Sequence, residues 1–439
     1  MKKKLLCVLL TTAMAASMLA GCGGKKAASD GQVLNIYCWN DEFQRRVQDH
    51  YPGYEIVDAT TGKIGEVTVK WNITPNADNA YQNNLDATLL KQKDAAADDK
   101  IDIFLIEADY ALKYVDSEYT MAVKDLGIAD ADIANQYKYT QDIVTDSNGV
   151  LKGLSWQGCP GIMFYNREAA KEVLGSDDPA TVQTYVKDWD TFVATADKMK
   201  AAGYNMVSSV NDTFRTYSNN VSSKWVVDGK INIDANIMKW VEDSKALVDA
   251  GVAGTHDLWS DDWSKGFYPD GKVFAYFGPA WLINFSMAAD VEGSIGNLGG
   301  WGGTEGPQGF FWGGTWICAA EGTDNADLIK DIMLKMTTDT ELMKGIVTKD
   351  DDFVNDKPAM EAMAKSDYTS KVMGGQNPLP MYCAGAAKID LSNLSAYDQG
   401  CNEEFQKAMK NYFEGNATLD DALELFYKGV QEKYPELQK

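Results

Sequence analysis

The sequence has few of the residues that catalytic and metal centres most often use. Only two of its 439 residues are histidines, His50 and His256, so a histidine-rich metal site or a Ser-His-Asp centre has little to draw on. It also lacks the phosphate-binding motif G-x-x-x-x-G-K-[ST], the nucleophile elbow G-x-S-x-G and the zinc motif H-E-x-x-H. We therefore predict a protein that is not an enzyme and has no catalytic residues, cofactor or metal site.

Positive charge is scarce as well. Lysine and arginine total 41 against 64 for aspartate and glutamate, which gives a formal net charge of -23. Such a chain is repelled by phosphate backbones and by anionic lipid surfaces. Nucleic acid is therefore not an expected partner.

Cysteines are few and show no metal or redox spacing. Cys7 and Cys22 lie near the N-terminus, and no C-x-x-C motif occurs among the others. The other five are Cys38, Cys159, Cys318, Cys383 and Cys401. Because their number is odd, at least one thiol is expected to be free, and their apolar neighbours favour buried positions over a disulfide framework.

The N-terminal segment has the features of an export signal. Lysines precede an apolar stretch that ends in Leu-Ala-Gly-Cys at residues 19–22, a sequence that resembles the bacterial lipobox. The resemblance implies a lipoprotein signal peptide over residues 1–21, a palmitate-bearing lipid anchor on Cys22 and a flexible tether over residues 22–31. No later stretch reaches 18 apolar residues. The body is thus expected to be soluble and held at the extracellular face of the bacterial cell membrane.

The first part of the mature chain alternates strands with helices. Strand patterns at 33–39, 66–73 and 101–106 are separated by helical patterns that end near residue 51 and span 81–97. The run at 101–106 is almost continuously apolar, which is typical of a strand buried on both faces of a parallel sheet. This order predicts an α/β lobe.

A second α/β unit follows a turn at residues 146–149. Its strand patterns lie near 153–156 and 161–165, and helical patterns span 189–202 and 237–250. No internal repeat of fixed period is present.

Several ordered motifs resemble the extracellular solute-binding proteins (family 1 type) of carbohydrate ABC importers. They are Gly-Leu-Ser-Trp at 153–156, Ile-Met-Phe-Tyr-Asn-Arg at 162–167, Trp-Asp-Thr-Phe at 189–192 and the segment 271–281 from Gly-Lys to Ala-Trp. The chain departs from the family pattern at Ser155, where proline is frequent, and around 188–192, where the family's Thr and Glu are missing. The resemblance covers the whole mature chain.

The resemblance implies the fold of periplasmic binding proteins, class II type, with two α/β lobes joined by hinge crossings. We expect residues 32–146 plus 279–320 to form the N-terminal lobe and residues 147–278 plus 321–439 to form the C-terminal lobe. The implied function is capture of a sugar or oligosaccharide in the cleft and delivery to the permease subunits of an ABC transporter, with the chain acting as a monomer.

Ligands of open α/β sheets bind beyond the carboxyl ends of the strands. Residues just after predicted strands, and the tryptophans in or directly after the glycine-rich stretch 299–314, are therefore the candidates. Hydroxyl groups of a sugar suit amide and carboxylate partners, and its C–H face suits an indole ring. The predicted ligand-binding residues are Trp39, Asn40, Glu107, Asp109, Trp156, Trp281, Trp312 and Trp316.

Each candidate has a structural alternative. The tryptophans can be core residues, whereas Asn40, Glu107 and Asp109 can cap the helices that follow them. Trp301 and the segment 257–263, with Trp259 and Trp263 four residues apart, are weaker candidates for the same reason.

Two other functions stay open. Tryptophans beside carboxylates also hold amines, so a polyamine or other amine is an alternative ligand on the same fold. A surface protein that binds or hydrolyses glycans is the other alternative, because paired carboxylates are recognised by their distance in space and not by spacing in sequence.

Overall fold

The computed structural model describes residues 31–287 and 289–439. The predicted signal peptide (1–21), Cys22 and the tether up to residue 30 lie outside the described residues. The strands, in chain order, are β1 (Val33–Cys38), β2 (Tyr54–Ile56), β3 (Thr61–Ile64), β4 (Val67–Ile73), β5 (Ile103–Glu107), β6 (Leu154–Ser155), β7 (Pro160–Asn166), β8 (Asn205–Val207), β9 (Val226–Val227), β10 (Lys230–Ile231), β11 (Val273–Pro279), β12 (Trp301–Thr304), β13 (Phe310–Phe311) and β14 (Thr315–Ala319).

Helices separate the strands and dominate the C-terminal third. In chain order they are α1 (Glu42–His50), α2 (Ala80–Leu89), α3 (Ala111–Val115), α4 (Lys138–Ile143), α5 (Arg167–Ala169), α6 (Pro179–Val186), α7 (Trp189–Ala201), α8 (Phe214–Ser218), α9 (Ala235–Asp249), α10 (Asp261–Ser264), α11 (Trp281–Phe285), α12 (Ala326–Thr338), α13 (Thr340–Asp350), α14 (Lys357–Ala364), α15 (Leu379–Ala386), α16 (Asp398–Phe413) and α17 (Leu419–Lys433).

Side-chain caps set where several of these helices begin. The Asp188 carboxylate accepts a hydrogen bond of 2.8 Å from the N–H of Thr191 at the start of α7. At the start of α17, Thr418 and Asp421 form a reciprocal capping box. Both helices then bury apolar residues spaced along one face, such as Phe192 in α7 and Phe426 in α17.

The first lobe is built on a seven-stranded sheet with the order β2-β3-β4-β1-β5-β14-β6. Its centre is parallel, because β1 runs parallel to both β4 and β5. The parallel pairing of β5 agrees with the prediction of a buried parallel strand from the apolar run at 101–106. β14 is antiparallel to β5 and places Thr315 opposite Glu107. The carboxyl ends of β1, β4 and β5 and the beginning of β14 therefore meet at one edge of the sheet.

The second lobe is built on a five-stranded sheet. Its order is β12-β7-β11-β8, with β13 also paired to β7. Helices α7 and α16 pack against α9, and side chains of all three share one hydrophobic core with those of β11. Large members of that core are Phe192, Trp240, Phe274, Phe277 and Phe405.

The first crossing between the lobes differs from the predicted boundary at 146/147. β6 pairs with β14 in the first sheet, so the chain crosses to the second sheet at 156–159.

The return crossing to the first lobe also differs from its predicted position. Residues 279–320 were expected in the N-terminal lobe, but β12 and β13 both pair with β7 of the second sheet. The chain therefore returns at 312–314.

The C-terminal helices are divided between the lobes, although the prediction assigns all of 321–439 to the C-terminal lobe. α12 packs against β6 and β14, and α13 packs against α1, so both belong with the first sheet. α16 packs against α9 in the second lobe. Pairing between distant strands and helices decides lobe membership, and local sequence patterns do not contain that information.

Two further features of the described part of the chain concern its helices and its cysteines. None of its helices is both long enough and apolar enough to cross a membrane. Its five cysteines are all free thiols, four of them buried. Burial raises the pKa of Cys38 to about 12, so this thiol stays protonated and behaves as a small apolar side chain.

Candidate sugar-binding cleft

A cavity of about 660 Å³ lies between the two lobes, against the edge of the first sheet where β1, β4 and β5 end. Part of its wall comes from the first lobe and part from the second. Six of the eight predicted ligand-binding residues line it, namely Trp39, Asn40, Glu107, Asp109, Trp281 and Trp312. The rule that ligand sites form beyond strand ends thus selects residues that the fold brings together.

Trp156 and Trp316 do not line the cavity, contrary to their predicted role. Trp156 is fully buried and stacks on Phe43 of α1, with ring centroids 4.9 Å apart. Trp316 is 1% exposed, and its indole N–H donates to the carbonyl oxygen of Thr140 at 2.8 Å. Both belong to the core of the first lobe. Trp316 is the second residue of β14 and not the residue after a strand, so the rule about strand ends does not apply to it.

The weaker candidates divide in the same way. Trp301 is fully buried, and Trp263 is 1% exposed with its indole N–H donating to a carboxylate oxygen of Asp212 at 2.6 Å. Trp259, four residues before Trp263, lines the cavity and is 47% exposed.

The first-lobe wall begins with Trp39 and Asn40, directly after β1. The Trp39 ring is held by edge contacts with Tyr81 and Tyr110, at centroid distances of 5.7 and 6.2 Å. The side-chain oxygen of Asn40 accepts a hydrogen bond of 3.1 Å from the N–H of Glu42 in α1. Asn40 thus lines the cavity and also makes this local hydrogen bond through its side-chain oxygen.

The second-lobe wall is aromatic. The rings of Trp259, Trp281 and Trp312 pack together with centroids 5.1 to 6.1 Å apart, and Phe285 joins them 5.7 Å from Trp259. We call these four side chains the aromatic wall. Phe285 is 51% exposed although it is entirely apolar. Exposed rings in a cavity can cover the C–H face of a sugar.

The backbone of this wall is unusual at Trp259. This residue has a φ of 70°, a left-handed conformation that bulky residues rarely adopt and that costs about 1–2 kcal/mol. The indole N–H of Trp281 donates to the carbonyl oxygen of Trp312 at 3.2 Å and fixes the two segments together.

Glycine is required where the chain returns to the first lobe. Gly313 and Gly314 line the cavity with φ values of 74° and 96°. A Cβ atom at Gly314 would lie 3.2 Å from both Cys159 and the Trp316 ring. Only glycine therefore fits between the cavity and the core at this crossing.

An ion pair joins the lobes across the cavity. Asp109 follows β5 in the first lobe, and Arg215 lies on α8 in the second. Both terminal nitrogens of the guanidinium donate to the Asp109 carboxylate, one of them at 2.6 Å. This bidentate geometry is the strongest form of such a pair. Asp109 therefore does not cap the following helix.

Sequence reasoning missed Arg215, Glu42 and Gln157, which also line the cavity. Arg215 follows no strand and lies on a five-residue helix, so the strand-end rule cannot find it. The small number of arginines is a signal in the sequence that could have drawn attention to Arg215. The chain has only four, Arg45, Arg46, Arg167 and Arg215. The last three of these are bound to carboxylates in partly or fully buried positions.

Two glutamates of the cavity have perturbed acidity. Burial, reinforced by the neighbouring Asp109 carboxylate, raises the pKa of Glu107 to about 8. Glu107 also accepts a hydrogen bond of 2.8 Å from the N–H of Asp109 and so caps the turn after β5. Burial likewise raises the pKa of Glu42 to about 7, although Arg46 and the amide of Gln157 offset part of the effect.

The Glu107 pKa predicts a pH dependence of stability. Between its ordinary value of 4.5 and about 8, the folded chain holds a proton on Glu107 that the unfolded chain has released. The stability contributed by neutral Glu107 is therefore complete below about pH 4 and is lost as pH rises through 8. We expect the unfolding midpoint to fall from pH 5.5 to pH 8, and Glu107→Gln to reduce that fall.

Thermal unfolding at the two pH values measures this effect. Glu66→Gln, at an exposed position outside the cavity, is the matched control and should keep the wild-type fall. A residual slope is expected in both variants because Glu42, Asp212 and Asp398 also have raised pKa values. An equal fall in Glu107→Gln and the wild type would contradict the assignment.

Metal ligands are not assembled in the described residues, where no group of three or more His, Cys, Asp or Glu side chains is placed to hold an ion. The lining of the cavity combines apolar and polar groups. It has aromatic faces on one side and amide, carboxyl and guanidinium groups on the other.

Comparison with solved structures confirms the predicted α/β fold with two lobes. An extracellular solute-binding protein of family 1 has a TM-score of 0.72 and 18% identity, covering 91% of this chain and 99% of that chain. An ABC-transporter-associated binding protein from B. animalis subsp. lactis, in complex with β-1,6-galactobiose, has a TM-score of 0.68 and 18% identity, covering 93% and 99%. The galacto-N-biose/lacto-N-biose I-binding protein from Bifidobacterium longum, in complex with lacto-N-biose, has a TM-score of 0.67 and 14% identity, covering 93% and 98%.

Sequence comparison gives the family. No curated protein matches the chain. The family model described as "Bacterial extracellular solute-binding protein" matches residues 55–372, which is most of the chain and includes strands of both lobes. This chain therefore belongs to the bacterial extracellular solute-binding proteins.

Proposed function

We propose that this protein binds a sugar or oligosaccharide in the cavity between its lobes and delivers it to the permease subunits of an ABC transporter. The observation that carries the proposal is the aromatic wall, which faces amide and carboxyl groups across one cavity. The cavity volume of about 660 Å³ lies within the range of roughly 300–1,000 Å³ typical of small-molecule sites. Two of the structural relatives hold disaccharides, which supports the same ligand class.

Thermal unfolding of residues 23–439 with a panel of mono- and oligosaccharides, putrescine and spermidine tests the proposal. Ligand at about 100 times its dissociation constant adds roughly 2.7 kcal/mol to the free energy of unfolding, which raises the midpoint by a few degrees. We expect a shift with one class of sugar and recovery of that sugar intact. Cleavage of the sugar would instead support a glycan hydrolase, and a shift with the polyamines alone would overturn the sugar proposal.

We also propose that Cys22 carries a lipid that holds the protein at the extracellular face of the cell membrane, where the protein acts as a monomer. One acyl chain gives only marginal membrane binding, whereas two or more give stable anchoring. Cys22→Ala in the full-length chain should abolish incorporation of labelled palmitate and release the protein from the membrane fraction. Cys383→Ala, at a partly buried cysteine of α15, is the matched control and should keep both label and anchoring.

A further inference from the structure

Glu107 is the carboxyl group of the cavity that has no cation of its own. It lies at the end of β5, where its hydrogen bonds come from the backbone N–H groups of the next two residues. Among the described residues, no lysine or arginine nitrogen lies within ion-pair distance of it. Asp109 stands beside it, and the charges of the two carboxyls oppose each other.

The guanidinium nearest to Glu107 is already committed. Arg215 is the cationic residue of the cavity lining, and both of its terminal nitrogens bind Asp109. Two carboxyl groups thus share one positive charge. Burial and the Asp109 carboxylate hold Glu107 protonated at neutral pH in this arrangement. A positively charged ligand group would remove that penalty and convert Glu107 to a carboxylate.

The rest of the cavity offers no spare positive charge for an anionic ligand. Glu42 is backed by Arg46, but Arg46 also pairs with Asp350 at 2.9 Å and lies 3.6 Å from Asp352. The side-chain N–H₂ of Gln157 donates to both Glu42 and Asp352. This end of the cavity therefore has more acidic than basic groups as well.

The acidic character continues outside the cavity. A second cavity of about 430 Å³ shares Asn76, Glu107 and Asp109 with the first and adds Asp78 and Glu403. Glu403 is paired with Lys433 at 2.6 Å, so Asp78 is the acidic group of this second cavity that adds negative charge near Glu107 without an ion pair among the described residues. The aromatic wall opposite adds cation–π attraction for an ammonium group without losing its affinity for C–H faces.

We infer that the ligand is an amino sugar, a mono- or oligosaccharide with a free protonated amine whose ammonium group binds Glu107 while a sugar ring lies on the aromatic wall. This inference rests on the proposed function and makes it narrower. It uses both features of the cavity at once, because a neutral sugar forms no ion pair with Glu107 and a linear polyamine leaves the broad aromatic surface largely unused.

Matched sugar pairs test the inference. Dissociation constants of residues 23–439 are measured for glucosamine and glucose, galactosamine and galactose, and the β-1,4-linked disaccharide of glucosamine beside its N,N′-diacetyl form and cellobiose. We expect the amine-bearing member of at least one set to bind tenfold or more tightly than its neutral partners. Glu107→Gln should reduce that ratio to less than threefold.

The variant is expected to fold, because glutamine replaces a glutamate that is neutral in the empty site, and its thermal unfolding at pH 7 verifies this. Glu403→Gln, outside the main cavity, is the control and should keep most of the preference. If a neutral sugar binds and no amino sugar binds more tightly, the inference is wrong and the proposed function stands. If only spermidine or putrescine binds, or no compound binds, both are overturned.

Discussion

Trp259→Gly is expected to weaken sugar binding by about 2 kcal/mol or more, which is roughly 30-fold in the dissociation constant, while changing the free energy of unfolding by only about 1 kcal/mol. The indole ring is 47% exposed inside the cavity, so its removal takes away contact area for the ligand more than it disturbs the core. Glycine also adopts the positive φ of this residue without strain, which offsets part of the lost packing. Titration calorimetry and thermal unfolding measure the two effects.

The matched control is a tryptophan of the core. Trp316→Phe removes the hydrogen bond to Thr140 and leaves the carbonyl oxygen unpaired, so it should lower the free energy of unfolding by about 1–3 kcal/mol. Its sugar affinity should stay at the wild-type value because the ring does not line the cavity. Wild-type affinity in Trp259→Gly would show that the ligand does not use the aromatic wall.

Arg215→Gln is expected to lower the free energy of unfolding by about 1–3 kcal/mol at pH 7. Without the guanidinium, the partly buried Asp109 carboxylate loses its ion-pair partner. Breaking a fully buried pair costs about 3–5 kcal/mol, and the smaller figure applies here because both side chains are one-fifth to one-quarter exposed. The pair also joins the lobes, so X-ray scattering of the unliganded variant should give a larger radius of gyration.

A double variant distinguishes the contribution of the Asp109–Arg215 ion pair to stability from the effect of losing one of its side chains. Asp109→Asn combined with Arg215→Gln should recover more than half of the lost stability, because no unpaired charge remains. Arg45→Gln is the control, since Arg45 forms an exposed pair with Asp41 and its loss should cost less than about 0.5 kcal/mol. A loss of stability in Arg215→Gln no larger than that in Arg45→Gln would contradict a bridging role for Arg215. The absence of any recovery in the double variant would contradict it as well.

Local patterns predicted the elements that lie next to the cavity. The strand at 33–39, the buried strand at 101–106 and the helix at 189–202 correspond to β1, β5 and α7 with small changes at their ends. Trp39 and Glu107 could be placed at one edge because adjacent parallel strands end on the same side of a sheet. These inferences need only hydrophobic periodicity and one topological rule.

The predictions that were wrong, and the residues that were missed, depend on contacts between parts of the chain that are distant in sequence. Trp156 ends a predicted strand and Trp316 follows the glycine-rich stretch, but pairing between the distant strands β6 and β14 places both rings in the core of the first lobe. Pairing of β12 and β13 with β7, a different long-range contact, places residues 301–311 in the second lobe. Arg215 reaches Asp109 only because the two lobes approach each other, and no local pattern encodes that approach.

The crystal structure of residues 23–439 with the sugar that gives the largest thermal shift tests the central claim most directly. We predict that the sugar occupies the cavity between the lobes, with a ring face against Trp259, Trp281 or Trp312 and hydrogen bonds to polar groups of the first-lobe wall. A sugar bound elsewhere on the protein, with this cavity empty, would contradict the account.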